Sequence, residues 1–165
     1  YDQLIHDASM QNAHLVLAID RAGVVGEDGE THQGLFDVSM LNAIPAVTIY
    51  SPCYFDGVER ALTAAIFEDD GLAAVRYPRG GEGYRPDGCT AESLNFDIFG
   101  DDTADALIVT YGRLFSEAAQ AREMLANPSL SIAGIARALG YSSAAHFSAQ
   151  FRLFCGLSPR DCRRA

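Results

Sequence analysis

At 165 residues, with 48% hydrophobic residues, the chain has enough apolar material for a genuine core, and its formal net charge of −10 sets it against general nucleic-acid binding. No run approaches the roughly 20 apolar residues of a membrane span, and no basic segment followed by an apolar one opens the sequence, so neither insertion nor secretion is expected and a cytoplasmic location is. The four cysteines, Cys53, Cys89, Cys155 and Cys162, form no Cys-x-x-Cys pair, which argues against a zinc site or a disulfide framework and for reduced thiols.

The first predicted element is a helix over residues 3–13. A short apolar run at residues 15–20 (LVLAID) follows, bounded by charge and glycine, and the pattern recurs at residues 46–50 (AVTIY) and 73–77 (AAVRY). These runs read as buried strands. Between the second and third lies a helical stretch at residues 55–67, with Val58, Leu62 and Ile66 on one face. Strands alternating with helices imply a parallel α/β sheet. Residues 80–89 (GGEGYRPDGC) then break regular structure and open a linker to about residue 103, after which residues 106–111 (ALIVTY) are expected to form another strand. Residues 114–125 have helical spacing, Asn127 and Pro128 interrupt, and the rest reads as helix and turn.

Charge divides the chain in the same way. All twelve basic residues are arginines, and six of them follow Gln120, opposed there only by Glu123 and Asp161. The tail is therefore +4 and the part before it −14, a split that suggests two segments with different partners.

Residues 18–34 (AIDRAGVVGEDGETHQG) place Asp20, Arg21, Glu27, Asp28 and His32 in a glycine-rich loop directly after a buried strand. In an open α/β sheet that is where ligands bind. A glycine turn with a solvated histidine fits the residues equally well. His32 has the chemistry to donate or accept a proton near neutrality, and Asp28, four positions earlier, could set its tautomer.

The run YDQLIHD, then AIDRAGVVGEDGETHQG with LFDVSMLNAIP after it, then VRYPRG, resembles 1-deoxy-D-xylulose-5-phosphate synthase in order and spacing. The resemblance implies a truncated transketolase-type pyrimidine-binding domain over residues 1–100, with ALIVTYGRLFSEA starting that family's third domain over residues 101–120. That family condenses pyruvate with glyceraldehyde 3-phosphate, releasing carbon dioxide, on thiamine diphosphate and magnesium, at the entry to non-mevalonate isoprenoid synthesis. By resemblance His32 is the proton-transfer histidine with Asp28 beside it, Arg21 and Arg79 hold the aldehyde's phosphate, and a homodimer is expected. A planar guanidinium meets a phosphate through two parallel charge-assisted hydrogen bonds, so the arginine assignment is chemically sound. The family's cofactor-activating glutamate and its Gly-Asp-Gly magnesium segment are not among these residues, and the chain opens on Tyr1 rather than a methionine. The expectation is the interior of a longer product with no synthase activity of its own.

The tail differs. Ile132, Ile135, Ala136 and Leu139 give one helix an apolar face, Gly140 and Tyr141 turn the chain, and Ser142 or Ser143 can cap a second helix carrying Phe147, Phe151 and Phe154. Two short helices around a glycine turn suggest helix-turn-helix, and a small helical appendage without a partner fits as well. The stretch PSLSIAGIARALGYSSAAHFSAQFRLFCGLSPRDCRR resembles the second helix-turn-helix of the arabinose-regulator (AraC/XylS) transcription factors, giving a third segment at residues 121–165. That resemblance implies DNA contact within residues 131–165: Ser143, Ala144 and His146 near the start of the second helix, with Arg152, Arg160, Arg163 and Arg164 for phosphates. Ala149 and Leu153 stand where basic residues are usual, and Cys155 and Cys162 replace aromatic ones, so phosphate contacts and core are both thinned. A junction near residues 119–122, made by fusion or rearrangement, accounts for both resemblances.

Overall fold

The computed structural model describes residues 1–25, 31–90, 93–101, 103 and 107–163, without the side chains of residues 154 and 155. Its described chain divides into two compact units. The first comprises Tyr1–Gly83, Thr90–Asp97 and Tyr111–Arg113, and the second Tyr84–Cys89, Ile98–Thr110 and Leu114–Ala165.

The first unit is built on three parallel strands, β1 (Leu15–Ile19), β2 (Thr48–Tyr50) and β3 (Leu72–Arg76), in the order β1-β3-β2. All five residues of β3 are buried, as a strand flanked by neighbours and covered on both faces requires. Successive residues face opposite sides of a strand, so β3 feeds two cores. Leu72 and Ala74 pack with Leu17, Ile19 and Ile49 against Ala8, Leu41 and Ile44. Ala73 and Val75 pack with Val16 and Tyr50 against Ala61, Leu62 and Ala65. The last three belong to α2 (Phe55–Phe67), whose alanines let the helix lie close to the alanines of β3.

Three local features differ from the sequence reading. The N-terminal helix forms, but Leu4–Ser9 is a π-helix, with Met10 donating to the Ile5 carbonyl and Ala13 to that of Ala8, both at 2.9 Å. A short helix, α1 (Asp37–Leu41), lies in the LFDVSMLNAIP run, where no helix was expected. The strand expected over residues 106–111 is not formed. Residues 107–111 pair with no strand, and Leu107 and Val109 are 82% and 86% exposed; Ala106 lies outside the described residues. A strand exists through its ladder partners, and an apolar run supplies none by itself.

The second unit is helical: α3 (Leu114–Ala126), α4 (Ile132–Ala138), α5 (Ala144–Cys155) and α6 (Pro159–Cys162). Each of the last three begins at a serine whose side chain accepts from a backbone N–H: Ser131 from Gly134, Ser143 from His146 and Ser158 from Asp161, at 3.0–3.2 Å. Gly140, at φ +78°, turns the chain between α4 and α5. Leu125, Ile135, Ala136 and Phe147 form a core, with Ile132, Leu139, Tyr141 and Phe151 packed around it. The apolar face read on α4 is therefore the one buried, and on α5 Phe147 and Phe151 do the same; Phe154's side chain lies outside the described residues. The architecture is a small parallel α/β unit followed by a helical helix-turn-helix segment. Among the described residues no helix is long and apolar enough to cross a membrane.

Candidate functional site

Strands β1 and β3 run in register to their last pair, Ile19 with Arg76. Beyond it the backbone pairing continues: Tyr77 donates to the Ile19 carbonyl at 3.0 Å and Ala22 to the Tyr77 carbonyl at 3.1 Å. Arg21 and Arg79 therefore leave the same carboxyl-terminal edge of the sheet on neighbouring chains, the edge where α/β folds place their ligands. Arg21 is half-buried, sits in the left-handed region at φ +55° and forms an ion pair with Asp20. An arginine rarely adopts that conformation without surrounding constraint. Arg79 is exposed, and its carbonyl accepts from the Arg113 guanidinium at 3.5 Å.

His32 reaches the same edge through its neighbours. Gly34 bridges Ala22 and Gly23, exchanging backbone hydrogen bonds with Gly23 at 3.0 and 2.9 Å. A Cβ on Gly34 would lie 2.5 Å from the Arg21 carbonyl oxygen, so only glycine admits this approach. His32, two residues earlier, is exposed, with Nδ1 2.9 Å from the Thr31 hydroxyl. Asp28, the expected partner of His32, lies outside the described residues.

Two residues not singled out in the sequence organise this edge. Arg76 is 5% exposed. Its guanidinium meets the Asp37 carboxylate bidentately, Nε to Oδ2 at 2.7 Å and Nη2 to Oδ1 at 2.9 Å. It also donates to the Ser51 hydroxyl at 2.9 Å and reaches the Gly34 carbonyl at 3.5 Å, with its carbon 5.7 Å from the centre of the Tyr111 ring. One buried cation thus joins β3, the start of α1, the end of β2 and the return of the His32 loop. Gln33 closes that loop through its side-chain amide, which pairs with both main-chain groups of Val25. An arginine inside an otherwise apolar five-residue run was the sequence signal for Arg76; Gln33 had none.

Arg21, His32 and Arg79 thus lie on chain segments that leave or return to one sheet edge, and guanidinium and imidazole groups are chemically suited to a phosphate ester. Among the described residues no group of three or more His, Cys, Asp or Glu side chains converges.

In the second unit, an open groove of about 530 Å³ is lined by the first turns of α4 and α5 and by Arg160. Ala144 and Arg160 line it; Ser143, His146 and Arg152 do not. Ser143 is occupied as the α5 cap, and His146 stacks edge-on against Tyr141 at 5.5 Å. Arg152 is exposed near the end of α5. Arg163 donates to the Leu125 carbonyl at 3.1 Å and so serves the end of α3. Arg164 lies outside the described residues.

Comparison with known proteins divides along the same line. Residues 1–81 match the family described as the transketolase pyrimidine binding domain, and residues 116–165 match a helix-turn-helix domain family. A 1-deoxy-D-xylulose-5-phosphate synthase of Chlorobium luteolum is 52% identical over 85 residues, covering 52% of this chain and 13% of the relative. The synthase of that name from Listeria innocua is 42% identical over 130 residues, covering 76% of this chain and 20% of the relative. That from Geobacillus thermodenitrificans is 40% identical over 138 residues, covering 80% and 21%. The chain thus spans about a fifth or less of the length of these curated relatives. The longer matches cover 76–80% of 165 residues and therefore run past residue 116, so the synthase-like stretch and the helix-turn-helix match overlap across α3, and for the 80% match beyond its end. Both resemblances read from the sequence are supported.

Proposed function

We propose that the α/β unit carries the proton-transfer and phosphate-binding part of a carboligation site of the 1-deoxy-D-xylulose-5-phosphate synthase kind, and that the 165-residue chain assayed alone does not turn over. The observation that supports this reading is the continued pairing of β1 and β3, from which the segments of Arg21 and Arg79 follow on neighbouring chains, with the Gly23–Gly34 bridge returning the His32 loop to the same edge. In this reading Arg21 and Arg79 hold the phosphate of glyceraldehyde 3-phosphate, and the exposed His32 imidazole accepts or donates the proton at the reacting carbonyl, with Asp28 beside it. Pyruvate is the second substrate. Thiamine diphosphate with magnesium is the cofactor that the likeness implies. The glutamate and Gly-Asp-Gly segment that serve it are not among these residues, so no step is assigned through it here.

The test has two parts. The purified chain, supplied with pyruvate, glyceraldehyde 3-phosphate, thiamine diphosphate and magnesium, should release no carbon dioxide. Glyceraldehyde 3-phosphate alone should shift the backbone amide resonances of Arg21, His32 and Arg79 together, and Arg21→Met or Arg79→Met should each weaken that binding about tenfold. Turnover by the chain alone, or binding indifferent to both arginines, overturns the proposal.

For the second unit we propose sequence-independent DNA contact at most, through Arg152 and Arg160. The helix-turn-helix match and the groove beside Arg160 favour it, while the net charge of −10 on the whole chain and the alanine at position 149 oppose tight binding. A gel shift should show weak binding that vanishes with added salt and ranks no sequence above another. Salt-resistant or sequence-discriminating binding would refute this.

A further inference from the structure

The chain leaves the sheet edge at Gly23 and returns to it at Gly34, and these two residues close the neck of the excursion with a reciprocal pair of backbone hydrogen bonds. One step further out the pattern repeats, but a side chain makes the second rung. The Gln33 Nε2 donates to the Val25 carbonyl at 2.8 Å, and the Val25 N–H donates to the Gln33 Oε1 at 2.6 Å. A primary amide presents a donor and an acceptor side by side, so it can satisfy both main-chain groups of one residue as a neighbouring strand would. Both Gln33 and Val25 are half-buried, where such a pair is shielded from competing water. The Gly34 carbonyl is held in addition by buried Arg76.

His32 is the residue immediately before this clasp. Its exposed ring has the Thr31 hydroxyl beside it, so the constraint on its location comes chiefly through the main chain it shares with Gln33. We propose that Gln33 is a positioning residue: by pairing with Val25 it fixes where the His32 imidazole stands relative to Arg21 and Arg79. The role of His32 in that statement rests on the reading given under the proposed function; the clasp itself does not.

The experiment is solution NMR on the full 165-residue chain, with glyceraldehyde 3-phosphate as the probe. In the unaltered protein the two Gln33 side-chain amide protons should be distinct, with the one donated to Val25 protected from exchange about tenfold relative to free glutamine. Gln33→Met keeps length and removes both hydrogen bonds. It should move the His32 ring resonances toward those of an unstructured histidine, accelerate exchange of the Val25 amide about tenfold and weaken the probe about tenfold, while the amide shifts of β1 and β3 stay in place. Gln33→Glu, the same size at neutral pH but with a carboxylate facing the Val25 carbonyl, should do at least as much. Unchanged His32 signals and unchanged probe affinity in Gln33→Met overturn the proposal, since a residue with only a structural role would leave the ring signals alone. If Gln33→Met fails to fold, freely exchanging Gln33 amide protons in the unaltered chain overturn it instead. A chain that never binds the probe but whose His32 signals collapse in Gln33→Met upholds the clasp and refutes the phosphate site.

Discussion

Arg76 illustrates how one residue can be both expensive to bury and hard to replace. Removing a guanidinium from water is costly, and the cost is offset here by a bidentate carboxylate, a hydroxyl and a carbonyl. Deleting one partner leaves a buried charge uncompensated. Arg76→Met alone or Asp37→Leu alone should therefore destabilise the α/β unit by about 3–5 kcal/mol, whereas the double variant should lose much less than the sum. Urea unfolding of the four proteins, followed by the circular dichroism of the sheet and helices, measures the coupling. Additive losses would show that the pair contributes nothing as a pair. The candidate groups Arg21, His32 and Arg79 could be picked out in the sequence because they are polar residues in glycine- and proline-marked loops after buried strands. Arg76, Gln33 and the crowding at Gly34 were not, because their meaning lies in contacts with residues brought close only by the fold. Gly34 meets the carbonyl of Arg21, and Arg76 reaches back to Asp37.

At the scale of elements, the buried strands and longer helices were readable from apolar period and flanking turns, and the failures share one cause. Residues 107–111 have a strand's composition and no neighbouring strand to pair with, while the five-residue α1 is too short to show a period. Where a single side-chain contact ties the end of one element to another, the tie can be measured. Tyr50, the last residue of β2, donates its hydroxyl to Asp69, just beyond α2, at 2.9 Å. Burial, then the hydrogen bond and negative charge of Asp69, push the phenol from its ordinary 10.0 to about 12. The folded state thus holds this proton more tightly than the unfolded one, so the contribution is complete below pH 10.0 and is lost as pH rises toward about 12. Tyr50→Phe should lower stability at neutral pH by about 1 kcal/mol and flatten this part of the alkaline decline, as read from urea midpoints across that range. A variant that keeps the parent's alkaline slope would remove Tyr50 from the account. In the second unit the corresponding tie is a cap. Ser143→Ala strips the His146 N–H of its acceptor and should cost that unit about 1 kcal/mol, whereas Ser143→Asp should restore most of it, compared by thermal unfolding at 222 nm.

For the whole molecule, charge and apolar exposure point to two different kinds of self-association, and salt separates them. The residues up to Gln120 carry −14 and those after it +4, which would favour contacts of head to tail between copies. The surface also exposes Phe36 (72%), Phe55 (62%) and Phe67 (79%) on the α/β unit, and Leu107 and Val109 beyond it. Both outer edges of the three-stranded sheet are unpaired among the described residues. Exposed apolar side chains and open strand edges each mark surface that seeks a partner. Contacts between opposite charges at the surface weaken within a Debye length of about 8 Å at physiological salt, while apolar burial does not. Sedimentation velocity from micromolar to near-millimolar protein should therefore show the average sedimentation coefficient rising with concentration and holding in high salt. The rise should be reduced by Phe36→Ser with Phe67→Ser. Association that disappears with salt would instead assign the contact to the charge split between the two segments, and leave the exposed phenylalanines as isolated surface residues.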